Sequence, residues 1–278
     1  MEAISDLIAL RRLIRDARGQ GKTTGFVPTM GAIHEGHLSL VRLARKTCGF
    51  TAVSIFVNPL QFAPGEDFEK YPRRREDDAA LLAREGVDVL YAPDPKGFYP
   101  PDFSTSVEVE RVSEGGEGAA RPGHFEGVAT VVAKLFLQVQ PDAAFFGRKD
   151  LQQVAVVRRM VRDLDFPVRV EVGETVREKD GLALSSRNAY LSAEERRKAI
   201  VLPRALFAAR DRAAAGDADA RSLERETREE LERAGLAVDY VDVVDPETMR
   251  RMDRAAAGTA LVAAVRVGKT RLIDNVLL

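Results

Sequence analysis

All three histidines of the chain, His34, His37 and His124, stand in Gly-flanked, loop-like segments, where function concentrates more than packing does. In Phe26-Val-Pro-Thr-Met-Gly-Ala-Ile-His-Glu-Gly-His37 an apolar strand ends at Pro28, a Gly-containing turn follows, and a helix starts near Gly36. That order puts two imidazoles three residues apart at a helix N-terminus. Backbone N–H groups and the positive end of the helix dipole collect there, so the place suits a phosphate. The two rings would add donors where negative charge grows during attack on phosphorus. A lone histidine more often caps a helix, and two on one turn could share zinc. The spacing here is H-x-x-H, however, not the H-E-x-x-H of metalloproteases, and no third ligand follows nearby.

A second segment, Ser54-Ile-Phe-Val-Asn-Pro-Leu-Gln-Phe62, runs an apolar strand into polar side chains at its C-terminal end, where open α/β sheets bind ligands. Gln61 carries the donors and acceptors that a small hydroxylated acid requires, whereas Asn58-Pro59 reads equally well as a turn. A third region begins with Arg121-Pro-Gly-His-Phe-Glu-Gly-Val128, continues as a helix and ends in Phe146-Gly-Arg-Lys-Asp-Leu-Gln-Gln153. Lys149, Asp150 and Gln153 there project from the start of a helix, and a lysine so placed can neutralise a triphosphate. The fourth, Lys179-Asp-Gly-Leu-Ala-Leu-Ser-Ser-Arg-Asn188, offers two hydroxyls and a guanidinium on a loop able to close over phosphates.

The elements that must position these groups follow from hydrophobic period. Short apolar runs at Thr24–Pro28, Thr51–Val57, Val87–Tyr91, Ala143–Phe146 and Val168–Val172 predict strands. Helical stripes at His37–Thr47, Arg74–Glu85 and Gln152–Asp163 lie between them, the alternation of a parallel sheet wrapped by helices. The first residues, up to Arg18, predict an amphipathic helix. The Gly-rich stretch Glu114–Gly118 predicts a mobile loop. Ser192 and Glu195 form a capping-box pair at the head of a helical stretch that should break near Pro203. A charged helix at Ala220–Ala234 and strands at Val238–Val244, Ala260–Val267 and Leu272–Leu278 complete the pattern. The expected class is α/β, with a Rossmann-like parallel-sheet domain over 1–188 and a smaller α+β domain over 189–278.

Composition narrows the partners. The chain has 278 residues, with 42 Lys plus Arg against 43 Asp plus Glu and a net charge of −1, so no global cationic excess exists to hold nucleic acid. Cys48 is the one cysteine, which excludes an intrachain disulfide and a Cys-rich metal site. The longest apolar stretch, Val128–Val139, is interrupted by Lys134 and is too short to span a membrane. With no apolar signal-peptide core at the N-terminus, a cytoplasmic location is expected.

Five segments, TMGAIHEGH, SIFVNPLQF, RPGHFEGVATVV, FFGRKDLQQ and DGLALSSRNAYLS, occur in the order and spacing of the pantothenate synthetase (pantoate–β-alanine ligase) family, which the chain resembles over nearly its whole length. H-x-G-H alone marks only the wider nucleotidyltransferase superfamily; the five together are specific. The resemblance implies a Rossmann-like ATP-binding domain, a C-terminal domain acting partly as a lid, and a homodimer. It carries ATP binding onto Met30, Gly31, Ala32, Ile33, His34, Glu35, Gly36 and His37. It extends that role to Gly147, Arg148, Lys149, Asp150, Val176, Leu184, Ser185, Ser186 and Arg187. Pantoate falls to Gln61 and Gln153, with Gln61 also near β-alanine, and the proton-donor histidine corresponds to His37.

In the implied reaction the pantoate carboxylate attacks the α-phosphorus of ATP. The β-alanine amine then displaces AMP from pantoyl adenylate. His34, His37 and Lys149 would steady the phosphate charge, with Mg²⁺ on the phosphates and no protein ligand assigned beyond a weak candidacy of Asp77. Two positions depart from the family's habit: Leu184 stands where Met is common, and Arg148 where an acidic residue is frequent. Another adenylyl-forming enzyme of the superfamily, or a non-catalytic nucleotide sensor, are the alternative readings.

Overall fold

The strands and helices expected from hydrophobic period are present in the computed structural model, which describes every residue except Pro64, Asp67 and Asp217. In chain order, β1 (Glu2–Ile4), α1 (Leu7–Gly19), β2 (Thr24–Thr29), α2 (Glu35–Thr47), β3 (Phe50–Ile55), α3 (Arg75–Arg84), β4 (Val89–Tyr91) and α4 (Pro95–Phe98) come first. They are followed by α5 (Gly116–Ala120), α6 (His124–Val139), β5 (Ala143–Gly147), α7 (Leu151–Asp163) and β6 (Arg169–Gly173). The rest is α8 (Ala193–Ala199), α9 (Val201–Ala214), α10 (Ala220–Arg233), β7 (Ala237–Val244), β8 (Ala260–Val267) and β9 (Thr270–Leu277).

Packing divides the chain into two units: Met1–Val109 with Arg121–Arg148 and Val156–Glu174, and Glu110–Ala120 with Lys149–Ala155 and Thr175–Leu278. The first holds a six-stranded sheet in the order β1-β4-β3-β2-β5-β6, parallel at every pairing. Strand order reverses at β2, so the crevice beyond the C-terminal ends of β2 and β5 is the place such sheets give to ligands. The β2–β5 ladder covers only Gly25 and Phe26. Pro28, which has no N–H to donate, lies past its end. Helix α2 buries Leu38, Val41 and Ala44 against Val27, Val53 and Phe145 of the sheet. Helix α6 is apolar on most sides and mostly buried, with Glu126 and Leu137 exposed.

The second unit holds an antiparallel sheet, β7-β8-β9. One face packs Val241, Leu261, Ala263 and Leu272 with Leu202 and Leu206 of α9 and Leu223 of α10. The other carries Val244, Ala260 and Val262 against Leu151. Residues 175–188, placed by the sequence reading in the first domain, pack with this unit. The buried pair Arg177–Asp274 binds them to β9.

Three local expectations are corrected. Residues 1–18 are not one helix: Glu2–Ile4 form a strand beside β4, and α1 starts after Asp6, whose carboxylate accepts from Ala9 N at 2.7 Å. The stretch Glu114–Gly118 is not a mobile loop but leads into α5. Glu117 there is 6% exposed, with its carboxylate bonded to Arg271 at 2.6 Å. The break in the Ser192–Gly216 stretch falls at Ile200, and Pro203 sits in the first turn of α9, where a missing N–H costs nothing. Among the described residues no helix is long and apolar enough to cross a membrane.

Candidate active site

The segment after β2 folds back so tightly that the backbone donors of Gly31, Ala32, Ile33 and His34 are consumed. Gly31 N–H donates to Thr29 Oγ1 at 3.1 Å. Ala32 and Ile33 each donate at 2.8 Å to the carboxylate of Asp78, which reaches in from the first turn of α3 and is 2% exposed. Gly31 (φ +86°) and Ala32 (φ +51°) both take the left-handed conformation this turn requires, and a Cβ on Gly31 would stand 3.0 Å from Asp78 Oδ2. Burial, the largest influence on Asp78, leaves its carboxyl above the ordinary range although the Ile33 and Ala32 amides oppose it. Asp77, next to it, is exposed.

His34 is the N-cap of α2, and a reciprocal capping box uses both rings. His34 Nδ1 accepts from Gly36 N at 3.1 Å, and His37 Nδ1 accepts from His34 N at 3.4 Å. A neutral imidazole whose Nδ1 accepts carries its hydrogen on Nε2, so the caps fix the tautomer of both rings, whose centroids lie 4.1 Å apart. The Nε2–H groups of both rings and the N–H of Glu35, which as the first helical residue has no intrahelical partner, lie together on this turn. The Glu35 carboxylate is turned to Arg42.

Gln61 is held beside this turn. Its Oε1 accepts from Asn58 Nδ2 at 3.0 Å, and its Nε2 donates to Met30 Sδ at 3.1 Å, leaving a second N–H on that nitrogen. Asn58 is 1% exposed and fully spent: Nδ2 also donates to Gly127 O at 3.0 Å, while Oδ1 accepts from Leu60 N and Tyr99 Oη. The even choice between substrate contact and turn at Asn58 resolves to scaffold. His124, 9% exposed, has the same kind of task. Its Nδ1 lies 2.9 Å from Gln61 O and its Nε2 3.1 Å from Arg121, which also binds Gln61 O and pairs with Glu66. Gly127 is required by this contact, because a Cβ there would lie 2.2 Å from Leu60 O. Gly147 ends β5, the neighbour of β2, and Arg148, which follows it, pairs with Glu174 at 2.9 Å.

The second unit groups the remaining residues. Lys149, Asp150 and Gln153 are half-buried around the start of α7. Gln152, by contrast, is buried with its amide bonded to Val112 O, Gly115 O and Glu117 N. Val176 and Leu184 pair across a narrow excursion of the chain through Leu184 N–H to Val176 O at 2.9 Å. Ser185 caps the short turn Ser186–Tyr190 by accepting from Arg187 N. Glu178 anchors the excursion, taking Arg196 at 2.8 Å and Asn188 at 2.7 Å. The residues that reading by type and spacing missed are Asp78, Arg121, Arg177, Asp274 and Asn275, all of them supports. Asp78 is hidden in a run of charges, Arg73 to Asp78, that looks like a solvated helix start.

One support titrates. Arg196's hydrogen bonds hold the Glu178 carboxyl below its usual 4.5, against burial and with help from Asn188. A depressed carboxylate pKa contributes stability that is complete above the unfolded value and lost as pH falls through the folded one. The protection factor of the Leu184 amide should therefore fall as the pH drops from the ordinary glutamate value through the depressed one of the folded state. In Glu178→Gln it should start lower and stay flat. An identical acid drop in the variant would assign the transition to another group.

The comparisons with known proteins place the chain in one family. The family model described as Pantoate-beta-alanine ligase matches residues 2–277. The pantothenate synthetase of Acidobacterium capsulatum is 54% identical, covering 100% of this chain and 96% of that one. That of Chloroflexus aurantiacus is 54% identical over 95% of each. Among solved structures, the enzyme from Thermus thermophilus superposes with a TM-score of 0.95 at 51% identity, covering 100% of this chain and 99% of that one. The Francisella tularensis ligase, described as complexed with β-γ ATP and β-alanine, gives 0.84 at 32% identity, covering 100% and 97%. The chain is a ligase and belongs to the pantoate–β-alanine ligase family.

Proposed function

We propose that the protein condenses (R)-pantoate with β-alanine at the expense of ATP, through a pantoyl adenylate, releasing AMP and pyrophosphate. The observation that carries this reading is the contact of Gln61 Nε2 with Met30 Sδ, which sets a polar amide beside the turn that presents the two imidazoles. A hydroxylated acid on Gln61 then adjoins an anion on His34 and His37. Oxide is too poor a leaving group for a carboxylate to acylate an amine directly, so activation must come first, and ATP supplies it. The pantoate carboxylate attacks the α-phosphorus in line, pyrophosphate leaves, and the β-alanine amine then displaces AMP as the amide forms. Most of the catalysis is positioning and charge stabilisation.

His34 and His37 donate from Nε2 to the α-phosphate oxygens, with His37 as the proton donor. Lys149 steadies the departing pyrophosphate, and Ser185, Ser186 and Arg187 hold the outer phosphates. Met30 to Ile33, Glu35, Gly36, Gly147, Arg148, Asp150, Val176 and Leu184 shape the nucleotide's surroundings. With the Ala32 and Ile33 amides spent on Asp78, their contribution is shape rather than hydrogen bonds. Gln61 and Gln153 bind pantoate, and Gln61 also lies near β-alanine. Mg²⁺ enters on the phosphates of ATP. Among the described residues no three His, Cys, Asp or Glu side chains converge to hold a metal, which suits a cation carried in on the phosphates. A homodimer and a cytoplasmic location belong to the same proposal.

Pantoate labelled with ¹⁸O in its carboxylate tests the chemistry. One labelled oxygen should appear in AMP for each pantothenate formed, and unlabelled AMP would rule out attack by the carboxylate on phosphorus. Gln153→Ala should raise the pantoate KM about tenfold or more, with the KM for ATP little changed, as expected for loss of hydrogen bonds to one substrate. An unchanged pantoate KM would remove Gln153 from that role.

A further inference from the structure

Asp274 and Asn275 are adjacent on β9, and successive residues of a strand face opposite sides of its sheet. Asp274 shares a face with Leu272 and Val276, towards α9. Its carboxylate, with no exposed side-chain surface, takes both prongs of Arg177 at 2.6 and 2.9 Å and the Asn275 amide at 2.8 Å. Arg177 in turn donates to Gly181 O at 3.1 Å, so the excursion that ends in Ser185, Ser186 and Arg187 is fastened at its root and near its tip. Asn275 reaches out on the other face, where its Nδ2 donates to Lys149 O at 2.9 Å. The backbone of the lysine turn and the root of the serine–arginine loop are thus tied to two consecutive residues of one strand.

We infer that Asp274 and Asn275 are positioning residues for the adenylation step: together they set the spacing between the Lys149 ammonium and the Ser185–Arg187 donors, so that both engage one triphosphate. This rests on the assignment of those groups to ATP given above. A strand backbone is a rigid reference, and a group displaced by about 1 Å in such a site can cost 10²-fold in rate. The Asn275 side chain reaches the lysine turn by donating to the carbonyl of Lys149, and its effect on the ammonium is transmitted through that residue. Asp274 acts through Arg177.

A double-mutant cycle tests it. Asn275→Ala, Lys149→Ala and the double variant are compared for pyrophosphate release in the presence of pantoate, and for the Kd of ATP against that of adenosine. Asn275→Ala should slow pyrophosphate release about 10- to 100-fold, the range typical of groups that orient a primary ligand. It should weaken ATP while leaving adenosine within twofold, and the double variant should be no slower than Lys149→Ala. Where Asn275→Ala fails to fold, Asn275→Asp keeps the volume, loses the donor and should give the same pattern. Additive losses, or equal weakening of ATP and adenosine, would show a general structural role and overturn the inference while leaving the functional reading intact. A Lys149→Ala enzyme with normal rate and ATP affinity would overturn both.

Discussion

His37→Ala should lower the rate of pantoyl adenylate formation about 10²- to 10³-fold, the loss seen when one preorganised donor to a developing anion is removed. In energy that is about 3–4 kcal/mol of transition-state stabilisation. The fold should hardly notice. His37 is half-buried, and the 3.4 Å capping contact its ring accepts from His34 N is a kind of bond worth about 1 kcal/mol. The substitution also frees the His34 amide, so a modest rise in helix fraying at Glu35 and Gly36 is expected. The pantoate KM should change little, because Gln61 is held by Asn58, His124 and Arg121 rather than by the imidazoles. Single-turnover measurement of pyrophosphate release, beside a thermal melt, separates the two effects. A rate within twofold of the parent would leave charge stabilisation to other groups.

Lys149→Ala should cost about 10²-fold in the same step and raise the KM for ATP, since a cation removed from a phosphate site is lost in both ground and transition states. Lys149→Arg should restore little, because a planar fork on a different stem does not replace a compact ammonium. Stability should again be nearly unchanged: the side chain is half-buried, and its backbone carbonyl, not its ammonium, is what Asn275 holds. Parallel loss of melting temperature and activity would instead make the residue structural.

The central strands were readable because each is a short apolar run bounded by turn residues, and β8 occupies the very residues expected, Ala260–Val267. Strand β1 was not, because three residues paired at Glu2↔Val89 to Ile4↔Tyr91 are strand only by virtue of their neighbour. Helix α5, Gly-Glu-Gly-Ala-Ala, has a sequence that favours coil and persists through a bond from Glu117 to Arg271, 154 residues away. The same distinction runs through the site. The two imidazoles could be named from their glycines and spacing. The fate of the amides around them could not, since their acceptor, Asp78, lies 45 residues on from Ile33 and among like-looking charges. Nor did type and spacing tell that Asn58 spends all its hydrogen-bonding capacity on scaffold while Gln61, three residues later, keeps an N–H in hand.

The measurement that bears most directly on adenylation is the exchange of labelled pyrophosphate into ATP by the wild-type protein, with pantoate present and β-alanine withheld. Reversible formation of a bound acyl adenylate requires label to enter ATP, at a rate that saturates with pantoate and vanishes without it. No exchange at saturating pantoate, from a protein that still makes pantothenate once β-alanine is added, would mean that amide formation does not pass through a freely reversible adenylate.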